Sequence, residues 1–212
     1  MKTLSTFFTI LCLSVALLAG AQSEKYMQTM GTTLQGLGQA KTAEDMTALA
    51  AKFERIGDAE KTQWLPYYYA GLVKARMSLY GMGDKDKLAD EAAALITKAE
   101  ALSKDNSEIL CVKSLIASAK LLVDPMSRWQ EYGEISANHL AAAKKADPTN
   151  PRPYMLEANS LKNTPEQFGG GCTTAKPLAE KAVALYETFK PASAIAPDWG
   201  KENAAQVVKD CQ

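Results

Sequence analysis

The amino-acid sequence predicts an all-α protein built of stacked antiparallel helical hairpins. Ala, Leu, Lys, Glu and Met dominate, apolar residues recur at helical spacing, and strand-like runs are nearly absent. Glycine and proline residues cluster at a few joints between these helical stretches. Hydrophobic residues make up 47% of the 212 residues and charged residues 23%, which is the composition of an ordinary globular protein.

The N-terminal segment predicts export of the protein. Met1-Lys2 gives a basic start, Phe7 to Ala19 is an apolar run, and Ala19-Gly20-Ala21 is a small-residue cleavage signature. The run is shorter than the roughly 20 residues that a membrane-spanning helix needs. We therefore expect a signal peptide over residues 1–21, cleavage near Ala21, and a periplasmic or secreted mature chain without membrane insertion.

The joints divide the rest of the chain into nine predicted helices. Residues 22–60 are expected to form an N-terminal capping hairpin, residues 61–190 the helical repeats, and residues 191–212 a tail with a C-terminal capping helix. The first helix is predicted although it contains three glycines, which disfavour a helix interior. The helices are expected near residues 24–38, 43–57, 61–80, 86–104, 107–122, 128–146, 152–162, 173–189 and 201–210.

A pair consisting of a large apolar residue and a small residue one turn later recurs every 43–44 residues. The pairs are Tyr67 and Gly71, Leu110 and Ser114, and Tyr154 and Ala158. Small residues let two helix axes approach within about 8–10 Å, so that a large side chain of one helix enters a hole on its neighbour. A hairpin that cannot bury its apolar face alone is stabilised by stacking on the next hairpin. We therefore expect about three repeats with capping helices at both ends.

These features resemble the tetratricopeptide repeat (TPR), in which a large residue precedes a small one and Asp-Pro closes the unit. The matching residues are Tyr67/Ala70/Gly71, Ala92/Ala99, Ala143/Asp147/Pro148 and Tyr154/Ala158. The resemblance covers roughly residues 64–190, with a period longer than the usual 34 or so. Residues 64–70, 164–171 and 197–200 also look like an exported TPR-like group of Gram-negative bacteria with no defined function. The resemblance implies a short right-handed superhelix.

Composition excludes several classes of function. The 24 basic and 24 acidic residues balance, and no basic block is present, which argues against a nucleic-acid partner. A single histidine disfavours histidine-based catalysis and histidine-rich metal sites. Asp84, Asp86 and Asp90 do not form a calcium loop, because Leu88 and Leu95 occupy ligand positions of that motif. We expect no catalytic residues, no metal and no cofactor, and therefore not an enzyme.

The glycine-rich segment 169–176 lacks the spacing of a phosphate-binding loop, and no strand precedes it. It is interpreted as a turn between two helices, with Phe168 beneath it and Thr173 or Thr174 capping the following helix. Cys172 and Cys211 are a possible disulfide that would fasten the last helix to the last repeat. The sequence does not give the Cα distance on which that pairing depends, so it stays open.

The predicted binding surface is the concave face, defined here as the side formed by the first helices of the hairpins. On TPR-like geometry it carries Tyr68, Leu72, Arg76, Arg152, Met155, Asn159 and Lys162. Aromatic, Met and Arg residues are favoured at binding surfaces. The first hypothesis is a non-catalytic binding or scaffold module that holds a protein or peptide segment there.

Two alternatives stay open. The second hypothesis is a protein that encloses a small solute among the first-helix aromatics and Arg76 or Arg152, with residues 163–172 and 191–200 as walls. A short solenoid can also fill its own groove with its terminal segments, which would leave no site on the concave face.

Overall fold

A computed structural model describes residues 24–212, and the predicted signal peptide lies outside this range. The regular structure of the described residues is entirely helical. The helices are α1 (24–39), α2 (Ala43–Glu60), α3 (Trp64–Leu79), α4 (Lys85–Leu102), α5 (Ser107–Leu121), α6 (Pro125–Ala146), α7 (Arg152–Lys162), α8 (Cys172–Thr188) and α9 (Lys201–Asp210). A short 3₁₀ helix, Glu166–Phe168, precedes α8. None of the described helices is long and apolar enough to cross a bilayer.

Polar residues in the joints determine where several helices begin. The side chains of Asp84, Asn106 and Asp124 each accept a hydrogen bond from a backbone N–H in the first turn that follows. Thr42 and Asp45 cap α2 reciprocally, and the backbone N–H of Thr42 lowers the pKa of the Asp45 carboxyl. The Asp and Asn residues at the joints therefore act as N-caps.

Consecutive helices pair as hairpins, and the hairpins stack on one another. Helix α3 packs on α4, α5 on α6, and α7 on α8, while α2 covers α3 and α9 covers α7 and α8. The close approach predicted at Gly71 is present, because a Cβ built there would lie 2.7 Å from Cγ1 of Ile96 on α4. Ala92 and Ala99 on α4 are fully buried, as helices in close contact require.

The C-terminal part of the fold is fastened covalently. Cys172 at the start of α8 and Cys211 after α9 form a disulfide, with their Cα atoms 5.1 Å apart. Beneath it, Ala175, Ala179 and Val207 are buried between the two helices. Helix α9 is thereby attached to the hairpin of α7 and α8.

The turn before α8 differs from the prediction. Phe168 does not lie beneath the turn, because 63% of its side chain is exposed. The N-cap of α8 is Gly171 with φ of 89°, and the Thr174 hydroxyl hydrogen-bonds to its carbonyl instead of capping the helix. Gly170 packs so closely on Thr164 that a side chain would not fit, which turns the 3₁₀ helix and Phe168 outward.

Candidate functional site

The concave face consists of two parts, and the tail (residues 191–200) covers the first. The indole N–H of Trp199 donates to the Tyr68 hydroxyl over 2.8 Å, and the Tyr69 hydroxyl donates to the Ile195 carbonyl over 2.9 Å. Both bonds link α3 to a segment more than 120 residues later in the chain. The N-terminal turns of α3, α5 and α7 are therefore buried under the chain's own tail.

Arg152 is the largest fully buried side chain, and its partners explain how a charge is accommodated there. One Nη donates to the Glu108 carboxylate over 2.8 Å, and the other donates to the carbonyl of Pro197 in the tail. Asn150 donates to the same carboxylate over 2.7 Å. Burial raises the pKa of the Glu108 carboxyl, and the neighbouring Arg152 charge opposes that shift. Arg152 therefore holds the tail in place.

The structure corrects the predicted binding surface at most of its positions. Four of the seven predicted residues are buried under the tail or within the helix stack, namely Tyr68, Leu72, Arg152 and Met155. The Lys162 ammonium is paired with the Asp210 carboxylate of α9. Arg76 and Asn159 are the predicted residues whose side chains make no hydrogen bond or ion pair with residues 24–212.

The second part of the concave face is a groove of about 230 Å³ between the C-terminal halves of α3, α5 and α7. The apolar part of its lining, here called the floor, consists of Leu79, Leu115, Leu121, Leu122 and Leu156. Hydroxyl and amide groups complete the lining, from Ser114, Ser118, Asn159, Ser160, Asn163 and Thr164. We call this cavity the groove.

Exposed apolar side chains are close in the chain to residues that line the groove, and one of them, Leu122, lines it directly. Tyr80, Leu122, Met126, Trp129 and Phe168 are all more than 40% exposed, and we call them the apolar rim. Tyr80 follows Leu79 of the floor directly, and Met126 and Trp129 lie in the first turns of α6, just after Leu122. The rings of Trp129 and Phe168 are 5.9 Å apart. Large apolar side chains exposed near a groove indicate a candidate binding surface.

Groups capable of holding a metal ion are sparse near the groove. Residues 24–212 contain no cluster of three or more His, Cys, Asp or Glu side chains that could bind a metal. His139 lies in a separate small cavity between α4, α5 and α6, where burial and then the nearby Lys113 charge lower its pKa. Cys111 is a buried free thiol. At the rim, the phenol of Tyr80 and the thioether of Met126 are exposed.

Sequence reasoning found part of the groove and missed the rim. Its predicted set spread along the first helices and included Asn159, and its second hypothesis used residues 163–172 as a wall, which contain Asn163 and Thr164 of the groove. Met126 and Trp129 could have indicated the site, because they are large apolar residues in a stretch, residues 126–134, that is otherwise mostly polar.

Together, the fold and the groove define a class of protein: an all-α stack of helical hairpins with an open apolar binding groove. No family model matches the chain, and no curated protein matches it either. Among solved structures, it is similar to the HusA haemophore from Porphyromonas gingivalis, with 41% sequence identity and a TM-score of 0.81. The similarity covers 88% of this chain and 92% of that one.

The chain belongs to the family of the HusA haemophore. A haemophore is a haem-carrying protein and not an enzyme, so the family indicates a non-enzymatic binding role. The all-α prediction is confirmed, whereas membership of the TPR family stays a prediction because no repeat model matches.

Proposed function

We propose that this protein binds haem, with the macrocycle against the leucine floor of the groove and the apolar rim. The observation that carries the proposal is a leucine-lined groove with large exposed apolar side chains close to its lining residues in the chain. The relationship to a haemophore, at 41% identity over most of both chains, supports haem as the occupant. The small-solute hypothesis is thereby favoured, at a position further along the helices than the sequence suggested.

The size of the groove favours partial burial of the ligand. Enclosed sites for small molecules commonly measure about 300–1,000 Å³, and the groove holds about 230 Å³. One edge of a flat macrocycle would enter the groove, and the remainder would lie against Trp129 and Phe168. Aromatic rings and Met suit such a surface, because burial of apolar area contributes roughly 25 cal/mol per Å².

Two rim side chains could ligate haem iron. Haem proteins use His, Met, Cys or Tyr as axial ligands. The chain's one histidine, His139, lies in a different cavity from the groove. Tyr80 and Met126 belong to the apolar rim and are 70% and 88% exposed, so both are available to a bound macrocycle.

The peptide-binding hypothesis receives less support. The part of the concave face that it required is covered by residues 191–200, and Arg152 is engaged with Glu108 and Pro197. A peptide would have to displace the tail and its hydrogen bonds to Tyr68 and Tyr69.

Titration of the purified mature protein with hemin tests the proposal. We expect a shifted Soret band, quenched tryptophan fluorescence and saturation at a fixed stoichiometry. Leu122→Ser should weaken hemin binding severalfold, because Leu122 belongs to both the floor and the rim. The matched control is Leu102→Ser, since Leu102 is 40% exposed against 45% for Leu122.

Leu102 lies far from Leu122. Lys85, the first residue of α4, contacts Leu122 at the end of α5, whereas Leu102 is the last residue of α4. Equal hemin affinities for Leu122→Ser and Leu102→Ser would contradict the proposed site. Absence of saturable hemin binding to the wild-type protein would contradict the function itself.

A further inference from the structure

The indole ring of Trp199 lies between two guanidinium groups. The Arg152 guanidinium carbon is 5.4 Å from the ring centroid, and that of Arg76 is 5.2 Å from it. Both distances are within the range of cation–π attraction. Trp199 therefore fixes the position of two cationic side chains at the boundary of the tail.

The two arginines differ in their counter-ions. Arg152 is neutralised by Glu108 at 2.8 Å and also donates to a tail carbonyl. Arg76 is partly buried, and it makes neither an ion pair nor a hydrogen bond with any of residues 24–212. A guanidinium without a counter-ion keeps its N–H donors available, and its planar fork is shaped to receive a carboxylate.

Helical spacing places Arg76 beside the groove. Tyr68, Leu72, Arg76 and Leu79 share one face of α3, because residues three or four positions apart lie above one another. Tyr68 contacts the tail through Trp199, and Leu79 lines the groove. Arg76 therefore lies between the covered part of the concave face and the open groove.

Asn159 adds a second, exposed polar group to this region. It lines the groove from α7, and its side-chain amide makes no hydrogen bond with the described residues. An amide N–H and a guanidinium are both donors to a carboxylate. Asn159 therefore adds a donor to the leucine-rich lining, and Arg76 lies next to that lining on the same face of α3 as Leu79.

We propose that Arg76 binds a carboxylate of the ligand, and that the groove is selective for tetrapyrroles with free propionates. This inference rests on the proposed haem-binding function. The apolar ring lies towards the rim, and a propionate extends inward to the Arg76 guanidinium, with Asn159 as a neighbouring donor. Charge-assisted Arg–carboxylate pairs are among the stronger polar contacts, which makes Arg76 the specificity-determining residue of the site.

The experiment compares hemin with hemin dimethyl ester, whose carboxylates are blocked, under one buffer and co-solvent composition. Wild type, Arg76→Gln, Arg76→Lys and the control Arg55→Gln are titrated with each compound. Arg55 is a suitable control because it is exposed on α2 and lies outside the groove. We expect Arg76→Gln to weaken hemin binding about tenfold. Arg76→Lys should lie between it and wild type.

The dimethyl ester separates the possible outcomes. Its affinity should be the same for wild type and Arg76→Gln, because it offers no carboxylate to the guanidinium. Equal losses with hemin and with the ester would overturn the inference, since Arg76 would then act through its packing on Trp199. A loss of the same size in Arg55→Gln would also overturn it, because a general charge effect would explain the result.

The failure of this inference is distinguishable from the failure of the proposed function. If hemin and its ester both bind wild type and Arg76→Gln makes no difference, only the role of Arg76 is wrong. If neither compound binds wild type, haem binding itself is wrong. A thermal melt of ligand-free Arg76→Gln should stay close to that of wild type, which excludes unfolding as the cause of weaker binding.

Discussion

The tail-covered part of the concave face and the open groove are formed by the same three helices, but the polar side chains of the two parts have different hydrogen-bond and ion-pair partners. In the covered part, Arg152 and Asn150 donate to the Glu108 carboxylate, and Arg152 also holds Pro197 of the tail, while its buried Nε has no partner. Beside the groove, the side chains of Arg76 and Asn159 make no hydrogen bond or ion pair with the described residues, and Arg76 contacts the Trp199 ring. The difference shows that residue type alone does not define a binding surface, since Arg occurs in both parts.

Replacement of Glu108 tests the covered part, and among our predictions it has the largest expected effect on the unfolding free energy. Glu108→Gln removes the counter-ion of Arg152 and leaves a fully buried charge unpaired. Loss of one partner from a buried pair commonly costs about 3–5 kcal/mol of unfolding free energy. Urea unfolding at pH 7 measures the change.

The matched control is Glu91→Gln, because Glu91 pairs with Lys74 near the surface with a side-chain exposure of 37%. A surface pair of this kind contributes about 0–1 kcal/mol. Similar losses for Glu108→Gln and Glu91→Gln would show that the buried network does not stabilise the fold. A folded Glu108→Gln protein that has lost hemin binding would show that the two parts are not separate.

Overpacking at Gly71 tests the scaffold that both parts share. Gly71→Leu would force a side chain against Ile96 and the backbone of Ala92 on α4. We expect a loss of about 1–3 kcal/mol or more, because the two helices must separate. Thermal and urea unfolding measure it, and hemin affinity should fall as well, since α3 contributes to the groove.

Gly38→Leu is the control, because it makes the same Gly-to-Leu change in a helix at a position without close neighbours. A Cβ at Gly38 in α1 meets nothing within 4 Å. Its stability should equal or exceed that of wild type, since Leu is a better helix former than Gly. An unchanged melt for Gly71→Leu would refute the close approach of α3 and α4.

The smallest expected effect is a pH dependence of stability that comes from His139, a residue outside both parts. Burial lowers the pKa of His139 below its ordinary value of 6.5, so the unfolded chain binds a proton more readily than the folded one. The contribution of His139 to stability is therefore full above pH 6.5 and is lost as the pH falls below that value. His139→Gln should remove this dependence.

The measurement is the unfolding free energy between pH 7.5 and 5 for wild type and His139→Gln, which differ in the chain's one histidine. If the unfolding free energies of the two proteins change with pH in parallel, the lowered pKa of His139 is contradicted. Hemin affinity at pH 7.5 should be the same in both, because His139 does not line the groove.

The fold was predictable from sequence because its signals are local. The Asp and Asn caps, the helical spacing and the pairing of Tyr67 with Gly71 all act within one hairpin. The site was not predictable in the same way, because burial of Tyr68 and Arg152 depends on Pro197 and Trp199, which lie at least 45 residues away. The tail has no periodic pattern that would indicate which surface it covers.

The outward position of Phe168 was beyond sequence reasoning for a similar reason. It results from the backbone of a glycine turn in which Gly169 has a φ of 80° and Gly170 packs on Thr164. An aromatic residue before such a turn can face either way, and the contact with Trp129 forms only after α6 and α7 have assembled.

The tail has a consequence for the order of folding. Its bonds to Tyr68 and Tyr69 span 131 and 126 residues, so the core of the early hairpins is completed by a segment that is synthesised much later than they are. Hairpins formed earlier would keep Tyr68 and the guanidinium of Arg152 in contact with water until residues 195–199 arrive. We therefore expect Trp199→Ala, which leaves the Cys172–Cys211 disulfide in place, to weaken distant helix α3 and not only the C-terminal region.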